Sequence, residues 1–207
     1  MGQAVASGPR LALLDLLRQG PRTVEALAQE AGLTLANASQ HLKVLRQARL
    51  VEADKRGVFV TYQVADPAVD DFYRALLGLA ETQLAEVQQI ALAFVLKRGD
   101  LEPVDRGLLL ERVRKGEVIV LDVRPAEEYR AAHIAGALSV PLKELEKHLD
   151  SLPRDRAIVA YCRGPYCVLA PTAVQSLRAR GYRAVVLEDG VAEWRARGLP
   201  VAGGEAP

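Results

Sequence analysis

The stretch AIVAYCRGPYCVLAPTAVQSL, residues 157–177, decides the fold of the C-terminal half of the chain. Its first five residues, AIVAY, have the composition of a buried strand. From Leu169 onward apolar residues recur at helical spacing, which predicts an amphipathic helix. Active loops of parallel α/β sheets lie beyond the carboxyl ends of the strands. The connecting loop, CRGPYC, therefore stands where such a domain places its reactive groups.

The segments on either side continue this alternation of strand and helix. VIVLD (118–122) and AVVLE (184–188) are further candidates for buried strands. The segments EEYRAAH, LKELEKHL and LAPTAVQSLRARG have helical periodicity. Strands that alternate with helices indicate a parallel sheet covered by helices on both faces. We therefore predict an α/β domain over residues 99–207.

Three separated signatures within residues 103–201 resemble the rhodanese family of sulfurtransferases. They are DVRPAEEYRAAHIAGALSVP, the cysteine loop after AIVAY, and DGVAEW. The resemblance implies a rhodanese-like parallel-sheet domain in which a loop cysteine accepts a sulfane sulfur as a persulfide. By position that nucleophile is Cys162, and no cofactor other than this covalent persulfide is implied. The sulfur-binding or anion-binding loop then comprises Arg163, Gly164, Pro165, Tyr166, Cys167 and Val168.

The loop has the features of a site for a reactive thiol. Backbone N–H groups that curl around a sulfur, followed by a helix N-terminus near Ala170, stabilise thiolate and persulfide anions. Arg163 can add positive charge. We therefore expect a lowered pKa for Cys162. A buried, inert cysteine is the alternative, and the position at a strand-to-loop exit argues against it.

Other residues of the signatures are interpreted as scaffold. Asp122 and Arg124 are expected to fix the turn after VIVLD by hydrogen bonding. His133, with Gly136 nearby in the first signature, is expected to pack beside the next strand. Trp194 and Gly190 are expected to seal the core.

One position departs from the rhodanese pattern. Many active rhodaneses have an arginine at the sixth position of the loop, counting the nucleophile as the first, and it helps to bind an anionic donor such as thiosulfate. This chain has Cys167 there, so thiosulfate turnover is expected to be weak. The second thiol can act as a resolving or switch thiol that forms a disulfide or a polysulfide bridge with Cys162.

The N-terminal half begins with three predicted helices. An apolar helical run at residues 11–17 ends at the Gly20-Pro21 pair, and Thr23 is placed to cap a short helix that stops at Gly32. A third helix, from Leu35 to Gln47, turns Leu42 and Leu45 inward. Residues 50–64, LVEADKRGVFVTYQV, then read as a β-hairpin with KRG at the turn. This order predicts a mainly α winged helix-turn-helix domain over residues 1–98.

Residues 8–98, through LTLANASQHLKVLRQARLVEADKRGVFVTYQV above all, resemble ArsR/SmtB-type transcriptional repressors. The resemblance implies that the third helix enters the major groove of double-stranded operator DNA while the wing touches the backbone or minor groove. By position it implicates seven residues in DNA binding: Asn37, Ser39, Gln40, His41, Lys43, Lys55 and Arg56. Amides and hydroxyls can read base edges, whereas lysine and arginine neutralise phosphates. For His41 a surface histidine without a DNA contact is an equal alternative.

Asp66-Pro67 predicts the start of a long helix whose apolar stripe between Phe72 and Val95 is wider than one small domain needs. Packing within the domain is one explanation, and a homodimer interface, which this family forms with terminal helices, is the other. The family's metal-sensing patterns are missing, because no cysteine precedes Cys162 and the long helix has no histidine. We therefore expect no metal site.

Composition is compatible with both domains. The 207 residues are 50% hydrophobic and 26% charged, as expected of a folded protein. Residues 33–63 hold five basic and two acidic side chains, while residues 99–207 hold 16 of each, so the positive excess lies in the predicted DNA-binding half. Without a signal sequence or a run of about 18 apolar residues, a cytoplasmic location and no membrane partner are expected.

Three hypotheses of function follow. The first is a DNA-binding transcriptional regulator whose rhodanese-like domain senses or transfers sulfane sulfur, with a small sulfane-sulfur donor and a thiol acceptor as partners. The second is a sulfurtransferase enzyme with an accessory winged helix, and the third is a thiol-redox or arsenic-responsive repressor that uses Cys162 and Cys167 directly.

Overall fold

The computed structural model describes residues 1–56, 59–84, 86, 89 and 106–204 of the chain. The chain divides after Gln83 into two compact units. The domain boundary predicted after residue 98 lies outside the described residues. Within the described ranges, none of the helices has the length and apolar character needed to span a membrane.

The first unit consists of five helices and a three-stranded antiparallel sheet of order β1-β3-β2. The short first helix has no counterpart in the prediction. The elements are α1 (Gly2–Val5), α2 (Gly8–Arg18), β1 (Arg22–Thr23), α3 (Val24–Glu30), α4 (Leu35–Gln47), β2 (Val51–Arg56), β3 (Phe59–Val64) and α5 (Pro67–Gln83).

The helix starts of this unit follow from local hydrogen bonding. The side chain of Thr23 accepts from the backbone N–H of Ala26 at 3.3 Å, and a carboxylate oxygen of Asp66 accepts from the N–H of Ala68 at 2.8 Å. Each satisfies a donor that has no partner within its helix. The limits of α4 are those predicted, and Leu42 and Leu45 are fully buried in the core.

The hairpin pairs β2 with β3 in antiparallel register, from Val51 opposite Val64 to Arg56 opposite Phe59. Tyr62 and Val64 pack against the helical core, so this side of β3 is apolar. The turn predicted at KRG is wrong for its first two residues, because Lys55 and Arg56 are the last residues of β2 and pair with Val60 and Phe59. Gly57 and Val58 lie outside the described residues. The first unit is therefore a winged helix-turn-helix.

The second unit contains a parallel sheet of order β6-β4-β7-β8 and a separate antiparallel pair, β5 with β9. Its elements are α6 (Arg106–Arg114), β4 (Val118–Asp122), α7 (Ala126–Ala131), β5 (His133–Ile134), β6 (Leu138–Ser139), α8 (Leu145–His148), β7 (Ala157–Tyr161), α9 (Leu169–Ala179), β8 (Ala184–Val186), α10 (Val191–Ala196) and β9 (Val201–Ala202).

Residues of β7 alternate between two cores, one on each face of the sheet. Ile158 and Ala160 pack with α9 in one apolar cluster, whereas Val159 and Tyr161 pack with Trp194 in the other. Successive side chains of a strand point to opposite faces, so a strand that is apolar throughout needs cover on both. This confirms the predicted α/β layer arrangement.

One predicted helix is shorter than its periodicity suggested. Of the segment LKELEKHL only residues 145–148 are α-helical, and 3-10 turns at Leu142–Glu144 and Leu149–Ser151 flank them. The backbone N–H of Glu144 donates to the carbonyl of Pro141 at 2.7 Å. Such bonds over three residues are typical of short connecting turns.

Candidate functional site

The cysteine loop joins β7 to α9 at the carboxyl end of the parallel sheet. Cys162 directly follows the last residue of β7 and is 3% exposed within an apolar cluster that includes Ala170. Cys167 is half-buried, and both thiols are free. The Sγ atom of Cys162 lies 3.5 Å from the backbone carbonyl oxygen of Cys167. The loop therefore folds back so that its two cysteines meet.

The pKa values of the two thiols are shifted in opposite directions. The lowered pKa predicted for Cys162 is wrong for the protein with both thiols free. Burial raises the pKa of Cys162 well above its ordinary value, and its hydrogen bond to Cys167 adds to this, outweighing the backbone N–H groups of Ala170 and Gly164. The hydrogen bond from Cys162 lowers the pKa of Cys167 to about 6, against the effect of burial. Cys167 is therefore the thiol that ionises first.

Backbone N–H groups of the loop, which were predicted to stabilise the Cys162 thiolate, also donate hydrogen bonds to the Cys167 sulfur. Hydrogen bonds from the backbone at Arg163 and Leu169, and the charge of Arg163, favour the Cys167 thiolate. The loop does stabilise an anion, as predicted, but the desolvation of Cys162 decides which sulfur carries it.

A buried ion pair fixes the second residue of the loop. The Nε atom of Arg163 donates to both carboxylate oxygens of Glu128, at 3.0 and 3.2 Å. The Glu128 side chain is completely buried, while that of Arg163 is 23% exposed. Since a buried carboxylate needs a compensating partner, the guanidinium of Arg163 is engaged with Glu128.

A second buried ion pair, between Arg124 and Asp122, lies beside Glu128. Arg124 donates to Asp122 through Nε at 2.9 Å and through a terminal nitrogen at 2.6 Å, and it also donates to the carbonyl of Ala132 at 2.7 Å. The Tyr161 hydroxyl donates to Asp122 at 2.5 Å, and burial raises the pKa of this hydroxyl well above its ordinary value. The predicted scaffold role of Asp122 and Arg124 is confirmed.

The start of α10 lies against the backbone of the cysteine loop. A Cβ added at Gly190 would lie 2.6 Å from the backbone C and O atoms of Arg163, so only glycine fits there. The N–H of Gly190 donates to the Glu193 carboxylate at 3.0 Å. That carboxylate lies beside Gly164, where an added Cβ would be 3.4 Å from it. Trp194 is fully buried, as predicted for a residue that seals the core.

The other predicted residues of the loop differ in their exposure to solvent. Gly164 is buried with a positive φ of 137°, a conformation that favours glycine. Pro165 is exposed and Tyr166 is half-buried, while Val168 is 56% exposed. Outside the loop, His133 is buried, stacks on the ring of Tyr129 at 3.7 Å and hydrogen-bonds its carbonyl, which agrees with a packing role.

Sequence reasoning missed two carboxylates of this site. For Glu128 only a helical conformation was predicted. It stands four residues after Arg124, which is the spacing of a helical ion pair. The two side chains approach to 3.8 Å. Glu193 stands three residues after Gly190, the spacing of a capping glutamate. Both signals were local, but neither revealed proximity to the loop.

The DNA-binding residues predicted on α4 lie on its outer side. Asn37, Gln40 and Lys43 recur every three residues and are exposed, as is Ser39, while His41 is half-buried. Lys55 on the hairpin is exposed as well. The side chain of Arg56 lies outside the described residues. Helix α4 therefore exposes a polar face to solvent and buries its opposite, apolar face in the core.

Helix α5 buries only one side of its wide apolar stripe. Tyr73 is buried in the core, whereas Phe72 is 41% and Leu79 58% exposed, and Leu84 just after the helix is 49% exposed. Residues 85, 87, 88 and 90–95 of the predicted stripe are outside the described residues. In the described ranges of both units, no three His, Cys, Asp or Glu side chains gather as a metal ion would require.

Comparison with known proteins agrees with both halves of the fold. The family profile for "Bacterial regulatory protein, arsR family" matches residues 8–53, and that for "Rhodanese-like domain" matches residues 105–197. The HTH-type transcriptional regulator Rv0324 of Mycobacterium tuberculosis is 45% identical over 201 residues, which are 97% of this chain and 88% of that protein.

Two further proteins resemble one half each. A sulfurtransferase of Allochromatium vinosum is 30% identical over 104 residues, covering 49% of this chain and 95% of that protein. The solution structure of the homodimeric winged helix-turn-helix domain of Mb0332 from Mycobacterium bovis is 39% identical, covers 41% of this chain and 79% of that chain, and has a TM-score of 0.39.

Proposed function

The chain belongs to the ArsR family of HTH-type transcriptional regulators, in a form that carries a rhodanese-like domain, and on this premise we propose that it is a sulfane-sulfur-responsive repressor. It binds double-stranded operator DNA as a homodimer in the cytoplasm. Its rhodanese-like domain takes sulfur from a small donor, holds it as a persulfide on Cys162, releases it to a thiol acceptor, and thereby changes operator affinity.

The observation that carries the proposal is that two free cysteines of one loop, at the carboxyl end of the sheet, are in contact through the Cys162 thiol and the Cys167 carbonyl. One thiol can hold a sulfur atom, and the second can exchange with it. A chemical event in this loop can therefore give two long-lived states, as a sensor needs.

The charges around the loop favour sensing over turnover of thiosulfate. Cys167 occupies the sixth position, Glu128 compensates the charge of Arg163, and the Glu193 carboxylate lies beside Gly164. A dianionic donor therefore meets little uncompensated positive charge from these groups. Weak thiosulfate sulfurtransferase activity is expected, and the reactive loop keeps a sulfurtransferase enzyme as the second candidate function.

On the DNA side, the proposal assigns base reading to Asn37, Ser39 and Gln40 and phosphate contacts to Lys43, Lys55 and Arg56. His41 is assigned to a phosphate contact. The exposed polar face of α4 supports this assignment. A dimer would read two half-sites about one helical turn apart.

The test measures binding to an operator selected from random duplex DNA. Replacing Gln40 and Lys43 together by Ala should weaken binding roughly 10–100-fold, because a base contact and a phosphate contact are lost. The control, Gln175→Ala with Lys147→Ala, removes the same exposed side-chain types from the other unit. Unchanged affinity of the first variant at moderate salt would contradict DNA reading by α4.

The same operator then tests the sulfur response. A sulfane-sulfur donor should change the affinity of the wild type but not that of Cys162→Ser. Many turnovers per Cys162 with unchanged operator affinity would favour the enzyme instead. A response to diamide or arsenite in the absence of sulfane sulfur would favour the thiol-redox or arsenic-responsive repressor.

A further inference from the structure

The two cysteines of the loop differ in their access to solvent. Cys162 is 3% exposed and belongs to the core, in contact with the cluster that contains Ala160, Ala170 and Val174. Cys167 packs against the same cluster but is only half-buried, and it stands between the half-buried Tyr166 and the exposed Val168. Of the two cysteines, Cys167 is therefore the one more accessible to a solute.

The surroundings of Cys162 keep it in this buried position. The residue before it, Tyr161, is fully buried and hydrogen-bonded to Asp122. The residue after it, Arg163, is held by Glu128 through its side chain and lies against Gly190 through its backbone. Contacts on both sides hold the backbone of Cys162, so bringing its sulfur to the surface would disrupt the core of the domain.

We infer that Cys167 is the receiving thiol of this loop: it takes the sulfane sulfur from a small hydropersulfide and passes it inward to Cys162, which stores it away from solvent. This inference rests on the proposed sulfur-responsive function and deepens it by assigning the order of the two thiols and the class of donor.

The first step is a thiol exchange at the donor. The Cys167 thiolate attacks the terminal sulfur of a hydropersulfide, R–S–S–H. A bond forms between Cys167 and that sulfur, the S–S bond of the donor breaks, and R–S⁻ leaves and takes a proton from water. The product is Cys167–S–S–H, and the oxidation state of sulfur is conserved, so no oxidant is consumed.

The second step moves the same sulfur inward. Cys162, having lost its proton to solvent, attacks the outer sulfur of Cys167–S–S–H. A Cys162–S bond forms, the bond to Cys167 breaks, and Cys167 leaves as a thiolate. The lowered pKa of Cys167 makes it the better leaving group of the two. The final state is Cys162–S–S–H beside a restored Cys167 thiolate.

The local charges suit a donor of this class. The carboxylate of Glu193 lies beside Gly164, and Glu128 compensates Arg163. A hydropersulfide group carries at most one negative charge, and none in the protonated form that the thiolate attacks, whereas thiosulfate carries two negative charges and is repelled more strongly. The substrate class is therefore a low-molecular-weight thiol persulfide.

In the experiment, the 207-residue protein is mixed with cysteine persulfide and quenched with an alkylating agent at short times. The added sulfur is then located by peptide mass spectrometry. Cys162→Ser should still gain one sulfur, on Cys167, at a rate close to that of the wild type. Cys167→Ser should gain sulfur on Cys162 at a rate at least about tenfold below that of the wild type, since its only thiol is buried and protonated. Cys167→Ala, which offers no hydroxyl, should behave like Cys167→Ser.

The opposite pattern would overturn the inference: no sulfur on Cys162→Ser together with wild-type rates for both Cys167 variants. Fluorescence of Trp194, the single tryptophan, verifies that each variant is folded. Failure of the wild type to gain sulfur would overturn both the order of the thiols and the proposed function. Sulfur uptake in the inferred order with unchanged operator affinity would overturn the sensing function alone.

Discussion

At the scale of single residues, the chemistry of the loop depends on which sulfur is desolvated. Both cysteines receive backbone hydrogen bonds, but burial penalises the charged form of Cys162 and leaves the anion to Cys167. A residue's position in a motif therefore does not determine its ionisation.

The pH dependence of alkylation tests this assignment. Because the pKa of Cys167 is lowered to about 6, its reaction with iodoacetamide should rise about tenfold per pH unit below that value and level off above it. Peptide mass spectrometry follows the modified residue. A wild-type midpoint near the ordinary thiol value of about 8.5 would contradict the assignment.

Two substitutions of Cys162 serve as matched variants. Cys162→Ala removes the hydrogen bond that is the main cause of the lowered pKa, so the midpoint for Cys167 should move upward. Cys162→Ser retains a hydroxyl donor and should move it less.

At the scale of elements, the loop is held between β7, α9 and α10. The first turn of α10 reaches the loop only because residue 190 has no side chain: an added Cβ would lie 2.6 Å from the Arg163 carbonyl and 2.9 Å from the Gly164 nitrogen. Helix α10 therefore acts as a support for the loop, together with the buried Glu128 of α7.

Gly190→Ala should destabilise the second unit by about 1–3 kcal/mol, because the overlap with backbone atoms can be relieved only by moving the helix or the loop. Urea unfolding followed by Trp194 fluorescence measures the loss, and the rate of sulfur uptake should fall as well. The control is Gly203→Ala, where the nearest atom would lie at 3.4 Å and a change within about 0.5 kcal/mol is expected. Equal stabilities of the two variants would contradict a close contact at Gly190.

At the scale of the whole molecule, the proposed repressor requires two copies of the chain. Helix α5 exposes Phe72 and Leu79, and exposed large apolar side chains on one helix are a feature of association surfaces. A homodimer that covers them would also place two α4 helices for a two-part operator.

Leu79→Glu should therefore dissociate the dimer. Burial of one leucine contributes roughly 1.5–3 kcal/mol, so sedimentation velocity should show at least about a tenfold rise in the dissociation constant, accompanied by weaker operator binding. Leu138→Glu, a change of another exposed leucine in the second unit, is the control and should leave the dimer intact. A dimer that tolerates Leu79→Glu would place the interface elsewhere.

The sequence by itself determined helices α2 to α4, the hairpin of β2 and β3, the start of α5, the strands β4, β7 and β8, and the position of the cysteine loop. Helix α4 from Leu35 to Gln47 and the strand Ala157–Tyr161 were predicted with their observed limits. These features depend on apolar periodicity and on capping residues, which are local properties of the chain.

Only the tertiary structure decided how the loop is supported and which thiol it exposes. Arg163 meets Glu128 from 35 positions away, and Gly190 lies against Arg163 across a helix and a strand. Such contacts depend on how the sheet brings distant segments together, so they cannot be predicted from a local sequence pattern. Burial, which separates the acidities of Cys162 and Cys167, is likewise a property of the packed domain.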